Sequence, residues 1–247
     1  MTTGSYRWDT VFFDLDGTLA DTIPLIVASY QHAFREVLQE EVDDVRARAW
    51  IGRPLLEALL EESPSHGHEL DRVYREWNLA NTERLILAYD GVPELLRALT
   101  DSGIRSAVVT SKRRLTATLA LRHVGLDGLI EIAAGLEDTA VHKPRPEPLL
   151  HAADLLGVEP TACVYVGDAT VDVLAAQAAG MAAIAVTWGA GEREALLATE
   201  PDHLCETVDE LSDLLLGGGV VGVAVPADDL PGDEHRLRDG RGGPAGD

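Results

Sequence analysis

From Asp90 onward the chain alternates short apolar runs with amphipathic stretches. Ahead of that point it holds one such run, Val11-Phe12-Phe13, followed by a long stretch of purely helical spacing. The runs Ile104–Val109, Leu129–Ala133, Ala162–Val166 and Ala183–Val186 read as buried strands. Between and after them, Val92–Leu99, Arg113–His123, Pro148–Leu156, Val171–Ala179 and Val208–Leu216 carry apolar residues at helix spacing. Strands separated by helices need crossovers, which aligns them parallel in one sheet with helices on both faces. The predicted fold class is therefore α/β, a doubly wound parallel sheet.

The stretch from Asp21 to about Ala88 carries no strand signal. Ile23, Ile26, Tyr30, Phe34 and Val37 mark one helix face, Leu55–Leu60 a second helix, and Leu70, Val73, Tyr74 and Trp77 a third. The organisation predicted is a flexible lead-in at 1–9, a core at 10–20 and 89–216, an inserted α-helical cap at 21–88, and a tail at 217–247. That tail holds nine of the 23 glycines and three of the 12 prolines, a composition that cannot build a core.

Composition narrows the function. The chain has 247 residues, 46% of them apolar, enough for a full-sized core. Its net charge of −22 disfavours nucleic acid, because phosphate backbones need Lys and Arg to replace their counterions. No apolar run approaches the roughly 20 residues of a membrane span, and Met1–Asp9 lacks the cationic and apolar parts of a leader. Cys163 and Cys205, both in apolar runs, suit reduced thiols. The expectation is a cytoplasmic protein without a membrane partner; its oligomeric state is open. Only two of its 20 cationic side chains are lysines, Lys112 and Lys143.

In open parallel sheets ligands bind beyond the carboxyl ends of the strands. The first strand ends in Asp14-Leu15-Asp16-Gly17-Thr18, the second in Thr110-Ser111-Lys112, the third in Gly167-Asp168, with Asp172 four residues on. Lys143 lies in the Pro-rich loop His142–Pro146. Several carboxylates in one place repel, and a hard cation such as Mg²⁺ relieves them while also binding a phosphate. The ammonium and hydroxyl would hold the remaining phosphate oxygens, so the set points to phosphoryl chemistry and leaves the nucleophile open. Turn-forming aspartates and, for Asp172, a solvated helix face are the competing readings. Ser111 also fits a helix N-cap, and Arg53, in the Gly52-Arg53-Pro54 break, fits either a solvent-facing position or a fork for a substrate carboxylate or second phosphate.

These residues resemble the haloacid dehalogenase superfamily. Asp14–Thr18 matches its first motif, and Thr110, Lys143 and Gly167–Asp172 match the second, third and fourth, in order. The resemblance runs from about Val11 to Leu216. Trp188–Gly191 and the stretch near Pro201–Leu204 are similar to phosphoglycolate-phosphatase-type members. It implies an Mg²⁺-dependent phosphatase of small phosphorylated metabolites. Asp14 would be the nucleophile, Asp16 the acid and base, and Lys143 the neutralising cation. Thr110 and Ser111 would lie at the phosphate, with Arg53 reaching in from the cap. Metal ligation falls to Asp14, the Asp16 carbonyl and Asp168, supported by Asp172. A carboxylate at Asp16 separates such phosphatases from the dehalogenases, whose halide needs no proton. 2-Phosphoglycolate ranks first, then pyrophosphate, then a sugar-phosphate mutase. A receiver-type phospho-switch fits less well, since it predicts a shorter chain without a helical insertion.

Overall fold

The computed structural model describes residues 7–217. Its strands, in chain order, are β1 (Thr10–Phe13), β2 (Ala20–Asp21), β3 (Leu87–Ala88), β4 (Arg105–Val109), β5 (Glu131–Ala134), β6 (Cys163–Gly167), β7 (Ala182–Val186) and β8 (His203–Cys205). Six of them form one parallel sheet in the order β5-β4-β1-β6-β7-β8. β4 and β5 lie on one side of β1 and β6–β8 on the other, so the winding reverses at β1. Where the winding reverses, the loops after neighbouring strands part and leave a crevice. Phe13 stands beside Val108 and Val166 in register, so the residues after β1, β4 and β6 emerge together at one edge.

Side-chain alternation explains why the sheet is covered on both faces. Val11, Phe13, Val108, Val164, Val166 and Ile184 point one way, where α5 (Val92–Asp101), α6 (Arg114–His123) and α10 (Val208–Leu216) bring Leu95, Leu99, Ala120, Leu121 and Leu211. Phe12, Ala107, Val109, Tyr165 and Ala183 point the other way, against Leu149, Ala152, Val173 and Ala176 of α7 (Glu147–Leu156) and α8 (Thr170–Ala179). Strands buried on both faces read as continuous apolar runs, which is why they stood out in the sequence.

The chain leaves the core through β2 and returns through β3, and these two pair antiparallel. Between them lie α1 (Ile23–Leu38), α2 (Asp44–Arg48), α3 (Leu55–Glu62) and α4 (Gly67–Leu85). They share a separate apolar cluster of Ile23, Tyr30, Phe34, Trp50, Leu59, Leu70 and Tyr74. Tyr30 stands 4.9 Å from Trp50 and 4.8 Å from Tyr74, ring centre to ring centre.

The structure departs from the sequence reading in three places. The β2–β3 ribbon was not expected, because two-residue strands carry no periodicity. Trp8, assigned to a flexible lead-in, is buried in the core beside the α5 cluster. The short elements α2, β8 and α9 (Arg193–Leu197) were not separated from the loops around them. The tail assignment falls, apart from Gly217, on residues outside those described. No helix among the described residues is long and apolar enough to cross a membrane.

Phe12 is fully buried in a central strand, whereas Leu155 is 61% exposed on α7. Phe12→Ala should cost about 3–5 kcal/mol in urea denaturation. Leu155→Ala should stay within about 0.5 kcal/mol of the parent.

Candidate active site

The loop after β1 sets the geometry. The Asp14 amide donates to the Val166 carbonyl at 2.9 Å, continuing the ladder one residue past the strand. Gly17 then turns at φ 81, in the left-handed region that favours glycine. A methyl group there would lie 2.3 Å from Asp168 Oδ2, and one on Gly189 would lie 2.1 Å from the same atom. Asp168 is thus enclosed by two glycines. Thr18 Oγ1 donates to its Oδ1 at 3.1 Å and the Ala190 amide to its Oδ2 at 2.7 Å. The Trp188 indole in turn donates to the Thr18 carbonyl at 3.1 Å, so the Trp188–Gly191 stretch serves to fix Asp168.

Asp172 lies in the first turn of α8 and is buried, which removes the solvated-face reading. Its Oδ2 accepts from the Ala169 amide at 2.9 Å, closing the first turn of the helix. Its Oδ1 accepts from Lys143 Nζ at 2.6 Å. The same ammonium donates to Tyr165 Oη at 2.9 Å and stands 3.1 Å from Asp14 Oδ1, out of line for a hydrogen bond. Tyr165 Oη donates onward to the Val109 carbonyl at 2.7 Å, just before Thr110. Tyr165 was invisible as a site residue in the sequence, since mid-strand it reads as core.

Burial dominates the titration behaviour. It pushes the Asp14 carboxyl up to about 7, although Lys143 pulls the other way. Burial likewise holds Asp168 well above the usual carboxylate range, with Asp172 and Asp14 adding to it. Burial works against the Lys143 charge, but Asp14 and Asp172 outweigh it and keep its pKa well above the ordinary lysine value. Asp14, Asp168 and Asp172 each offer an oxygen within 4.8 Å of the others. Asp14 Oδ1 is buried without a hydrogen-bond partner, and three close carboxylates face one ammonium. An oxygen-seeking divalent cation fits that deficit in both charge and donor type.

Asp16 sits slightly apart. Both its oxygens accept from Lys112 Nζ, at 2.9 and 3.1 Å, so both lysines of the chain serve this one locus. Thr110 is buried and accepts from the Lys112 amide at 3.2 Å. A cavity of about 240 Å³ between the helical segment and the core opens onto Asp14, Asp16 and Thr110. Two expected substrate contacts are engaged elsewhere. The Ser111 Oγ donates to the Gly52 carbonyl at 3.0 Å, and Ser111 does not cap α6, which begins only at Arg114. Arg53 lines the cavity, but its Nη2 donates to Glu61 Oε2 at 2.6 Å.

Carboxylates, a threonine and lysines gathered where the winding reverses are the layout of an α/β enzyme. The haloacid dehalogenase-like hydrolase family model matches residues 11–186. Pyrophosphatase PpaX of Bacillus pumilus is 34% identical over 207 residues, which covers 84% of this chain and 94% of the relative. The crystal structure of a predicted phosphoglycolate phosphatase from Haemophilus somnus superposes with a TM-score of 0.75 at 25% identity, covering 84% of this chain and 98% of that one. A hydrolase from Pseudomonas syringae superposes with a TM-score of 0.75 at 26% identity, over 82% and 95%. The chain belongs to the haloacid dehalogenase-like hydrolases, and it is an enzyme of that family's phosphatase kind.

Replacing Lys143 by Met leaves Asp14 and Asp172 buried without their cation and should cost about 3–5 kcal/mol in urea denaturation. Tyr165→Phe removes one partner each from Lys143 and the Val109 carbonyl and should cost about 1–3 kcal/mol.

Proposed function

We propose that the protein is an Mg²⁺-dependent phosphatase of small phosphate monoesters that works through an aspartyl-phosphate on Asp14. One observation carries the reading: a buried carboxylate with a free oxygen, beside an ammonium, faces a cavity that also holds a second carboxylate two residues on. An Asp14 oxygen attacks phosphorus and the bond to the substrate alcohol breaks, with Asp16 giving the departing oxygen its proton. Asp16 then takes a proton from a water that attacks the same phosphorus, freeing phosphate and restoring Asp14. Thr110 and nearby backbone amides hold the phosphoryl oxygens, and Lys143 offsets their charge together with that of Asp14. Lys112 holds Asp16 at the cavity edge until substrate arrives.

Asp14, the Asp16 carbonyl and Asp168 would hold Mg²⁺, with Asp172 supporting through Lys143 and the α8 turn. When bound, the cation lessens the repulsion between Asp14 and an incoming phosphoryl group. Among substrates, the sequence resemblance favours 2-phosphoglycolate, while the name carried by the Bacillus pumilus relative supports pyrophosphate as the second reading. Both are small soluble metabolites, in keeping with a chain whose net charge of −22 disfavours nucleic acid. The charge and thiol content suit the cytoplasm.

Phosphate release should require added Mg²⁺ and stop with EDTA. Asp14→Asn should lower kcat by about 10³-fold or more. Acid-quenched single turnovers with ³²P-labelled substrate should leave label on the parent chain and none on Asp14→Asn. Unchanged release from purified Asp14→Asn would sink the nucleophile assignment.

A further inference from the structure

The cavity is larger and less polar than a phosphoryl group requires. Beyond Asp14, Asp16 and Thr110 its walls include Ile26, Tyr30 and Leu55 of the helical segment and Leu136 of the core, with Asn78 and Thr116 as uncharged polar neighbours. Leu79 of α4 and Leu115 of α6 line it from its two sides, and they are 53% and 69% exposed. Large apolar side chains standing open at a concave site mark where a ligand's apolar surface is covered.

The cations around the cavity tell the same story from the other direction. A second phosphate or a carboxylate on the substrate would need a fork or ammonium to receive it. Arg75 already gives Nε to both Asp71 oxygens, at 2.9 and 2.8 Å. Arg53 is held by Glu61 and Lys112 by Asp16. Arg113, the remaining lining cation, is exposed at the start of α6. Apart from Arg113, a second anion would have to displace carboxylates that the chain itself supplies, which weighs against it.

Resting on the phosphatase reading above, we propose that the alcohol half of the preferred substrate is an uncharged apolar body, aromatic or branched. It lies against Ile26, Tyr30, Leu55, Leu79 and Leu115. This places such an ester above 2-phosphoglycolate and pyrophosphate, the two candidates that the resemblance and the relative's name favour, because each of them brings a further charged group to the apolar wall.

The test compares Mg²⁺-supported phosphate release from benzyl phosphate, ethyl phosphate, 2-phosphoglycolate and pyrophosphate. Benzyl phosphate should lead ethyl phosphate and 2-phosphoglycolate by about ten-fold or more in kcat/KM, mainly through KM. Leu79→Asp and Leu115→Asp, each at an exposed helix position, should cut the benzyl-to-ethyl ratio about five-fold while the melting temperature holds. Equal turnover of benzyl and ethyl phosphate, a lead for 2-phosphoglycolate or pyrophosphate, or an unchanged ratio in both variants would overturn the proposal and leave the phosphatase reading standing. No release beyond the Asp14→Asn blank from any compound would instead overturn the phosphatase reading. Calorimetric titration with benzylphosphonate and ethylphosphonate reads the apolar wall without turnover: tighter benzyl binding is expected, and equal binding overturns the proposal.

Discussion

The ammonium of Lys143 is the interaction on which the rest of the structure depends. It stands almost completely buried between Asp14, Asp172 and Tyr165, groups delivered by three different parts of the chain. A charge in that position is tolerable only because opposite charges lie within hydrogen-bond reach. The requirement is mutual: Asp14 follows β1, Asp172 lies in the first turn of α8, and Tyr165 lies within β6, so the pairing fixes these segments relative to one another. Breaking it would leave two buried carboxylates facing each other with nothing between.

Around that centre the polar groups are held by neighbours that do no chemistry themselves. Asp168 owes its position to Thr18, to the Ala190 amide and to the missing side chains of Gly17 and Gly189. Trp188 secures Thr18, and the Tyr89 hydroxyl donates to the Trp188 carbonyl at 3.2 Å. A route of hydrogen bonds therefore runs from the end of β3, where the helical segment rejoins the core, to the carboxylate cluster. The Ser111 hydroxyl provides a second tie between segment and core through Gly52.

Much of this was legible in the residues. Each core strand is an apolar run because both of its faces are covered, and a run that stops at Asp14, Thr110 or Asp168 announces a loop at the sheet edge. The gathering of Asp14, Thr110, Lys143, Asp168 and Asp172 followed from that pattern and from the family motifs. What stayed hidden depends on contacts between distant residues. Tyr165 has the spacing of a core side chain, and only its hydroxyl partners give it away. Arg53 faces Glu61 eight residues on, a pairing that depends on how the Gly52 turn enters α3. Ser111 carries the composition of a cap, but α6 starts too late for it to act as one. The β2–β3 ribbon is two residues long on each side, below the length at which alternation can register.

That ribbon has a topological consequence. Because β2 and β3 lie side by side, residues 22–86 enter and leave the core at a single place. The parallel sheet is complete without them, so its closure does not wait on ordering the long intervening loop. Helices of another size or number can occupy the same opening without rerouting a strand. A lineage built on this plan can exchange its substrate-facing half while the reacting residues stay in register.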